Sequence, residues 1–108
     1  MTLQLSISIS GPLGDHLDTF RELLALDKRG RLSDDWDQEF GSRILQSRES
    51  GWIRLDLSRY EDDKWGIRLT YERDPLPADE VEELRRQILE AAAAVGVTVT
   101  AQTPAASA

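Results

Sequence analysis

Two runs of alternating apolar and polar residues, separated by three acidic residues, constrain the fold of this chain most strongly. The runs are WIRLDLSRY (52–60) and KWGIRLTYE (64–72), and alternate side chains of a strand lie on opposite faces. A hairpin turning at residues 61–63 pairs apolar residues on one face: Ile53 with Tyr71, Leu55 with Leu69, and Leu57 with Ile67. On the other face Asp56 lies opposite Arg68, a favourable pair that a shift of one residue would lose.

The first 30 residues predict a strand followed by a helix. In LQLSISIS (3–10) apolar and polar residues alternate, and the positions expected to face inward are Leu3, Leu5, Ile7 and Ile9. Gly11 and Pro12 end this strand. Residues 13–30 predict a helix whose apolar stripe is Leu13, Leu17, Phe20 and Leu24. Gly30 suits the left-handed position after the last turn of that helix.

A second helix and a last strand are predicted after the hairpin. The helix begins at about Ala78 and ends at Gly96, and its stripe is Val81, Leu84, Ile88, Ala92 and Val95. Val97 and Val99 then alternate with threonines in a short strand. We expect one domain over residues 1–101 and a disordered tail over residues 102–108, which has no apolar pattern to bury.

The segment RLSDDWDQEFGSRI (31–44) carries four carboxylates around two large aromatic side chains. Its apolar residues recur every four positions, as on one stripe of a helix: Leu32, Trp36, Phe40 and Ile44. Ser33 suits the N-cap, and the aspartates then fall in the first turn, where the helix dipole favours negative charge. The segment therefore predicts a third helix with its aromatic side chains inward and its carboxylates in water.

The order of the predicted elements is strand, helix, extra helix, strand, strand, helix, strand. This order resembles the split βαβ arrangement of ferredoxin-like domains, written β-α-(α)-β-β-α-β. The resemblance implies an α+β fold with a four-stranded antiparallel sheet and the helices on one face. It does not indicate a function, because this architecture carries many unrelated activities.

Several reaction chemistries lack their residues in this sequence. The chain has no cysteine, which excludes disulfides, thiolate catalysis and cysteine-bound metals. Asp35, Asp37 and Glu39 have the spacing that begins a calcium loop, but the glycine comes one position late and Gln46 replaces the closing glutamate. The single histidine, His16, follows an aspartate that a helix would turn about 100° away from it. We therefore expect no catalytic residue, no metal site and no cofactor, and a protein that is not an enzyme.

The net charge of −7 indicates the kind of partner. Twenty acidic against 13 basic residues repel nucleic acid and anionic membranes and attract a basic protein. The chain has neither a spanning apolar stretch nor a signal-peptide pattern, so we expect a cytoplasmic protein. Trp52 is left on the outward face of its strand, where an aromatic side chain can anchor an interface. The candidate partner-binding residues are Asp34, Asp35, Asp37, Glu39, Asp18, Glu22 and Trp52.

These features favour a small acidic protein-binding module, monomeric on its own, that inhibits a basic partner. Bacterial immunity proteins that neutralise nuclease toxins form such a class, because their carboxylates compete for the surface that holds nucleic acid. The alternative is a small-ligand-binding or regulatory ferredoxin-like domain of the ACT type, as a monomer or as an oligomer. In ISGPLGDHL (9–17), a strand that runs into a Gly-Pro turn and a helix resembles the ligand-binding turn of amino-acid-sensing ACT domains. That resemblance implies a ligand pocket between the sheet and the helices.

Overall fold

The computed structural model of this chain describes residues 2–28, 39–48, 51–61 and 63–103. Its elements, in chain order, are β1 (Thr2–Ser10), a 3₁₀ turn (Leu13–His16), α1 (Leu17–Leu23), β2 (Asp27–Lys28), β3 (Glu39–Arg48), β4 (Gly51–Glu61), β5 (Lys64–Tyr71), α2 (Ala78–Val95) and β6 (Thr98–Thr103).

The six strands form one antiparallel sheet in the order β2-β3-β4-β5-β1-β6. The predicted four-stranded, ferredoxin-like split βαβ fold is therefore wrong. The chain between α1 and β4 contributes two more strands to the sheet, where the sequence pattern predicted a helix. The molecule is an α+β domain in which a wide antiparallel sheet predominates over two helices.

The predicted hairpin is confirmed in its register. Ile53 pairs with Tyr71, Leu55 with Leu69, Leu57 with Ile67 and Asp56 with Arg68. The ion pair on the outward face differs from the expected one, because the Asp56 carboxylate lies 3.0 Å from Nε of Arg54, two residues away on the same strand. Arg68 lies across the strand pair and is exposed.

The predicted helix over residues 33–44 is wrong in its described part, because residues 39–48 form β3. This strand pairs with β4 along its length, which satisfies the backbone groups that a helix would have paired internally. Phe40 is fully buried, whereas Ile44 is 54% exposed opposite Arg54, so the two do not share one buried stripe. A bulge between Glu39 and Gly41 lets Phe40 enter the core. The earlier residues of the predicted helix lie outside the described part: Leu32, Ser33 and Trp36.

The first helix has the predicted apolar stripe but ends much earlier than Gly30. Its buried residues include the four expected ones: Leu13, Leu17, Phe20 and Leu24. Ala25 adopts a left-handed backbone with φ 54°, and Leu26 then turns into the core. The polypeptide consequently leaves the helix after Leu23 and enters β2 at Asp27.

Both helices pack against the same face of the sheet. The predicted α2 is confirmed, with its stripe buried and Gly96 in the left-handed conformation at its C-terminus. The core beneath the helices includes Leu5, Ile7 and Ile9 of β1, Leu55 and Leu57 of β4, and Ile67 and Leu69 of β5. The opposite face of the sheet carries no described helix, and we call it the open face.

A bulge in β1 reverses the expected burial of two residues, so that Leu3 is exposed and Gln4 is buried. The register shifts between Leu3 and Leu5, which leaves Leu3 39% exposed and Gln4 buried. The Gln4 amide donates to the carbonyl oxygen of Leu76 at 2.7 Å and accepts from the Leu76 N–H at 3.0 Å. One side chain thereby holds the connection between β5 and α2 against the first strand.

Replacing Gln4 by alanine will lower the free energy of unfolding by about 1–2 kcal/mol, because both backbone groups of Leu76 lose their partner. Urea denaturation measures this change. Ser6→Ala, on the open face of the same strand, serves as the control and should stay within about 0.5 kcal/mol of the wild type. An unchanged midpoint for Gln4→Ala would show that water replaces these two hydrogen bonds at no cost.

The described edges of the sheet are short or bulged. β2 has only two residues, and β6 carries an extra residue, Thr100, where its register with β1 shifts. The bulge limits the pairing of another strand with β6. β2 pairs only with Gly41 and Ser42, so the rest of β3 has no described neighbour on that side. β6 continues to Thr103, and Gln102 pairs with Ile7, although the tail was predicted to begin at Gln102. Residues 104–108 lie outside the described part.

Within the described residues, no helix combines the length and the apolar character needed to cross a membrane.

Candidate protein-binding surfaces

Charge is divided between the two layers of the molecule. The 3₁₀ turn, α1 and α2 together carry eight acidic and three basic residues, a net charge of −5. The six strands carry four acidic and seven basic residues, a net charge of +3. The negative charge of the chain therefore lies in the helices and in the connections. Three of the basic strand residues nevertheless lie on the helix side: Lys28 pairs with Asp18, Arg43 donates to the Leu24 carbonyl oxygen, and Arg59 stands over the Phe40 ring.

The exposed side of the first helical segment combines carboxylates with an apolar side chain. Asp15, Asp18 and Glu22 are exposed there, and Leu23 is 51% exposed. We call these four residues the α1 surface. A shallow depression of about 260 Å³ runs beside them, along residues 14–21. On a helical wheel Leu23 lies at the edge of the buried stripe, about 100° from Leu24, so the sequence alone does not decide whether it is buried.

Arg21 lies beneath the α1 surface and ties α1 to β3. It is only 6% exposed, and its Nε donates to the carbonyl oxygen of Phe40 at 2.7 Å. The Asp18 carboxylate lies 3.5 Å from a terminal nitrogen of the guanidinium. Desolvation lowers the pKa of Arg21, and the nearby Asp18 charge opposes that shift. The sequence pattern gave no sign of this role, because a charged residue on a short helix is usually exposed.

The predicted acidic residues are only partly brought together. Asp18 lies 3.5 Å from the Lys28 ammonium, so the chain leaves β2 close to α1. Glu39 is exposed and pairs with Ser58, a residue of the open face, which directs it away from α1. Glu22 lies beside Asp18 on α1, as the sequence predicted. The other members of the predicted cluster, which fall between Lys28 and Glu39, lie outside the described residues: Asp34, Asp35 and Asp37.

The carboxylates of α2 are largely occupied by cations of the same helix. Glu82 bonds Arg85 at 2.9 Å, and the Arg86 guanidinium bonds both Glu83 and Glu90. The hydrogen bond from Arg86 lowers the pKa of Glu83 below its ordinary value. These pairs hold Glu82, Glu83 and Glu90 in intrahelical contacts. Among the described residues, no ion pair involves the other two α2 carboxylates, Asp79 and Glu80, or Asp15 and Glu22 of the α1 surface.

Trp52 lies on the open face, as predicted, but it is half buried. The Arg54 guanidinium stands 5.2 Å from the centre of its ring and also bonds Asp56 at 3.0 Å. These three side chains form a row along β4 in which the arginine is held from both sides. Trp52 is thus separated by the sheet from the α1 surface, and the two do not form one interface.

Two further observations bear on chemistry. Among the described residues, no three histidine or carboxylate side chains lie close enough together to hold a metal ion. His16 is exposed at the end of the 3₁₀ turn.

Comparison with known proteins found no matching family model, no matching curated protein and no matching solved structure.

Proposed function

We propose that this chain is a protein-binding module that docks a basic protein on its α1 surface. The observation that supports this function most directly is that Asp15 and Glu22 are exposed and that no ion pair involving either occurs among the described residues, on helices whose net charge is −5. Exposed carboxylates of this kind attract an approaching cationic protein and raise its association rate.

The composition of the α1 surface fits an interface. Stable interfaces have an apolar centre within a polar rim, and water is excluded from the centre on binding. Leu23 supplies an exposed apolar side chain, and Asp15, Asp18 and Glu22 supply exposed carboxylates on the same helical segment that accept hydrogen bonds from lysine or arginine. Arg21 fixes the position of α1 against β3, so the surface is formed before binding.

The finer proposal is an inhibitor of the immunity type. A nuclease toxin needs a cationic surface to hold nucleic acid, and a carboxylate surface that covers it blocks the substrate. We expect the chain to be monomeric until it meets this partner, and the bulge in the edge strand β6 disfavours pairing with a second copy along that edge.

Reversing two carboxylates of the α1 surface tests this function. The double variant Asp15→Lys, Glu22→Lys will slow association with the basic partner about tenfold at low salt, because steering and contact are both lost. The partner is first isolated on the immobilised wild-type chain and purified. Association rates are then measured at two ionic strengths, and higher salt should slow the wild type more than the variant.

A matched control carries the same change of net charge elsewhere. Glu72 and Asp74 are exposed in the connection after β5, so Glu72→Lys, Asp74→Lys alters net charge equally without touching α1. We expect the control to slow association much less than the α1 variant. Equal rates for the two variants would mean that net charge alone acts, and retention of no basic protein by the wild type would contradict the proposed function.

A further inference from the structure

A depression on the open face lies at the hairpin end of the sheet, away from the α1 surface. Its volume is about 360 Å³, within the range of small-molecule sites. The floor is β1, and the walls come from the β4–β5 hairpin and from β6. The polar residues that line it are Ser8, Ser10, Tyr60, Glu61, Lys64 and Thr100.

Tyr60 forms an aromatic wall of this depression because Gly66 has no side chain. The bulge between Arg59 and Glu61 sets Tyr60 outside the regular register of β4. A Cβ atom built on Gly66 would lie 2.5 Å from Cε2 and 2.8 Å from the hydroxyl of Tyr60, so the ring rests directly on the β5 backbone. Tyr60 nevertheless stays 56% exposed, which leaves much of its surface available to a ligand.

The rest of the lining combines hydroxyl groups with one neutralised ion pair. No hydrogen bond from the Ser8, Ser10 or Tyr60 hydroxyl occurs among the described residues, so these groups can both donate to and accept from a ligand. Lys64 lies 3.2 Å from Glu61, which cancels the charge at the rim. The depression therefore offers an apolar ring, several hydroxyls and no net charge.

We infer that this depression binds a neutral, polyhydroxylated ring of the pyranose type. Such a ring has an apolar C–H face that can cover Tyr60 and a hydroxyl edge that can bond Ser8, Ser10 and the Glu61–Lys64 pair. An anion would have to displace Glu61 from Lys64, and a cation would have to displace Lys64 from Glu61, so a neutral ligand is favoured. The site lies on the other side of the sheet from the α1 surface and does not depend on the proposed protein-binding function.

Saturation-transfer NMR of the full chain with methyl pyranosides tests the site. We expect transfer to the ring C–H protons of at least one of the methyl glucosides, mannosides or galactosides at millimolar concentration. Tyr60→Ala should weaken this binding about tenfold, since the apolar platform is removed. Gly66→Ala should weaken it as well, because its Cβ displaces the Tyr60 ring.

Two controls separate the site from general effects. Trp52→Ala removes the other aromatic side chain of β4 on the open face and should leave pyranoside binding unchanged. Tyr60→Phe keeps the ring and should retain most of the affinity. The inference is overturned if no pyranoside shows transfer, if Tyr60→Ala binds like the wild type, or if only a cation such as methylguanidinium binds there.

Discussion

Replacing Phe40 by alanine will lower the free energy of unfolding by about 3–5 kcal/mol. Phe40 is fully buried, its ring meets Trp65 edge-on with centroids 5.2 Å apart, and the Arg59 guanidinium stands 4.8 Å from its centre. Removal of the ring leaves a cavity between β3 and the hairpin end of β4 and β5. Chemical denaturation followed by tryptophan fluorescence and by circular dichroism measures the loss.

Ile44→Ala is the informative control for Phe40→Ala. A helix over residues 33–44 would bury Phe40 and Ile44 in the same stripe, and both substitutions would then be costly. In β3, Ile44 lies opposite Arg54 on the open face and is 54% exposed, so its replacement should cost less than about 1 kcal/mol. Comparable losses for the two variants would contradict the strand.

The hairpin could be predicted because the alternation of apolar and polar residues continues along both strands. Six residues alternate in the first run (53–58) and nine in the second (64–72), and the register is fixed independently on the two faces, by Leu55 opposite Leu69 and by Asp56 opposite Arg68. The α2 helix was predictable for the same reason, since its apolar stripe extends over four turns and Gly96 marks its end.

The sequence predicted a helix where β3 begins, because a spacing of four residues between apolar side chains fits both a helix and a strand. Residues four apart share a face of a helix, and they also share a face of a regular strand, whose period is two. Trp36, Phe40 and Ile44 therefore could not decide between them. Bulges between Glu39 and Gly41 and between Ile44 and Gln46 then break the alternation, so the strand carries no clear period of its own.

The sequence could place the residues of the candidate surfaces only in the segments where it predicted the helix correctly. The outward position of Asp18 and Glu22 could be predicted, because the apolar stripe of the first helix is the one that the sequence indicates. Glu39 was assigned to the same acidic cluster through the predicted helix, but in β3 it lies opposite Ser58 on the open-face side of the sheet. The Tyr60 depression depends on a bulge and on the missing side chain of Gly66, and neither leaves a periodic signal in the sequence.

Replacing Arg21 by methionine will lower the free energy of unfolding by about 2–3 kcal/mol, although methionine keeps the apolar stem of the side chain. The Phe40 carbonyl oxygen loses its 2.7 Å hydrogen bond from a charged donor in a buried position. Arg85→Met is the control, because the Arg85 contacts with Glu82 and Gln102 lie at the surface, and it should change stability by less than about 1 kcal/mol. Because Arg21 also fixes the α1 surface, Arg21→Met should weaken binding of the basic partner even under conditions where the variant remains folded. An Arg21→Met protein as stable as the wild type would show that α1 is held by its apolar stripe alone.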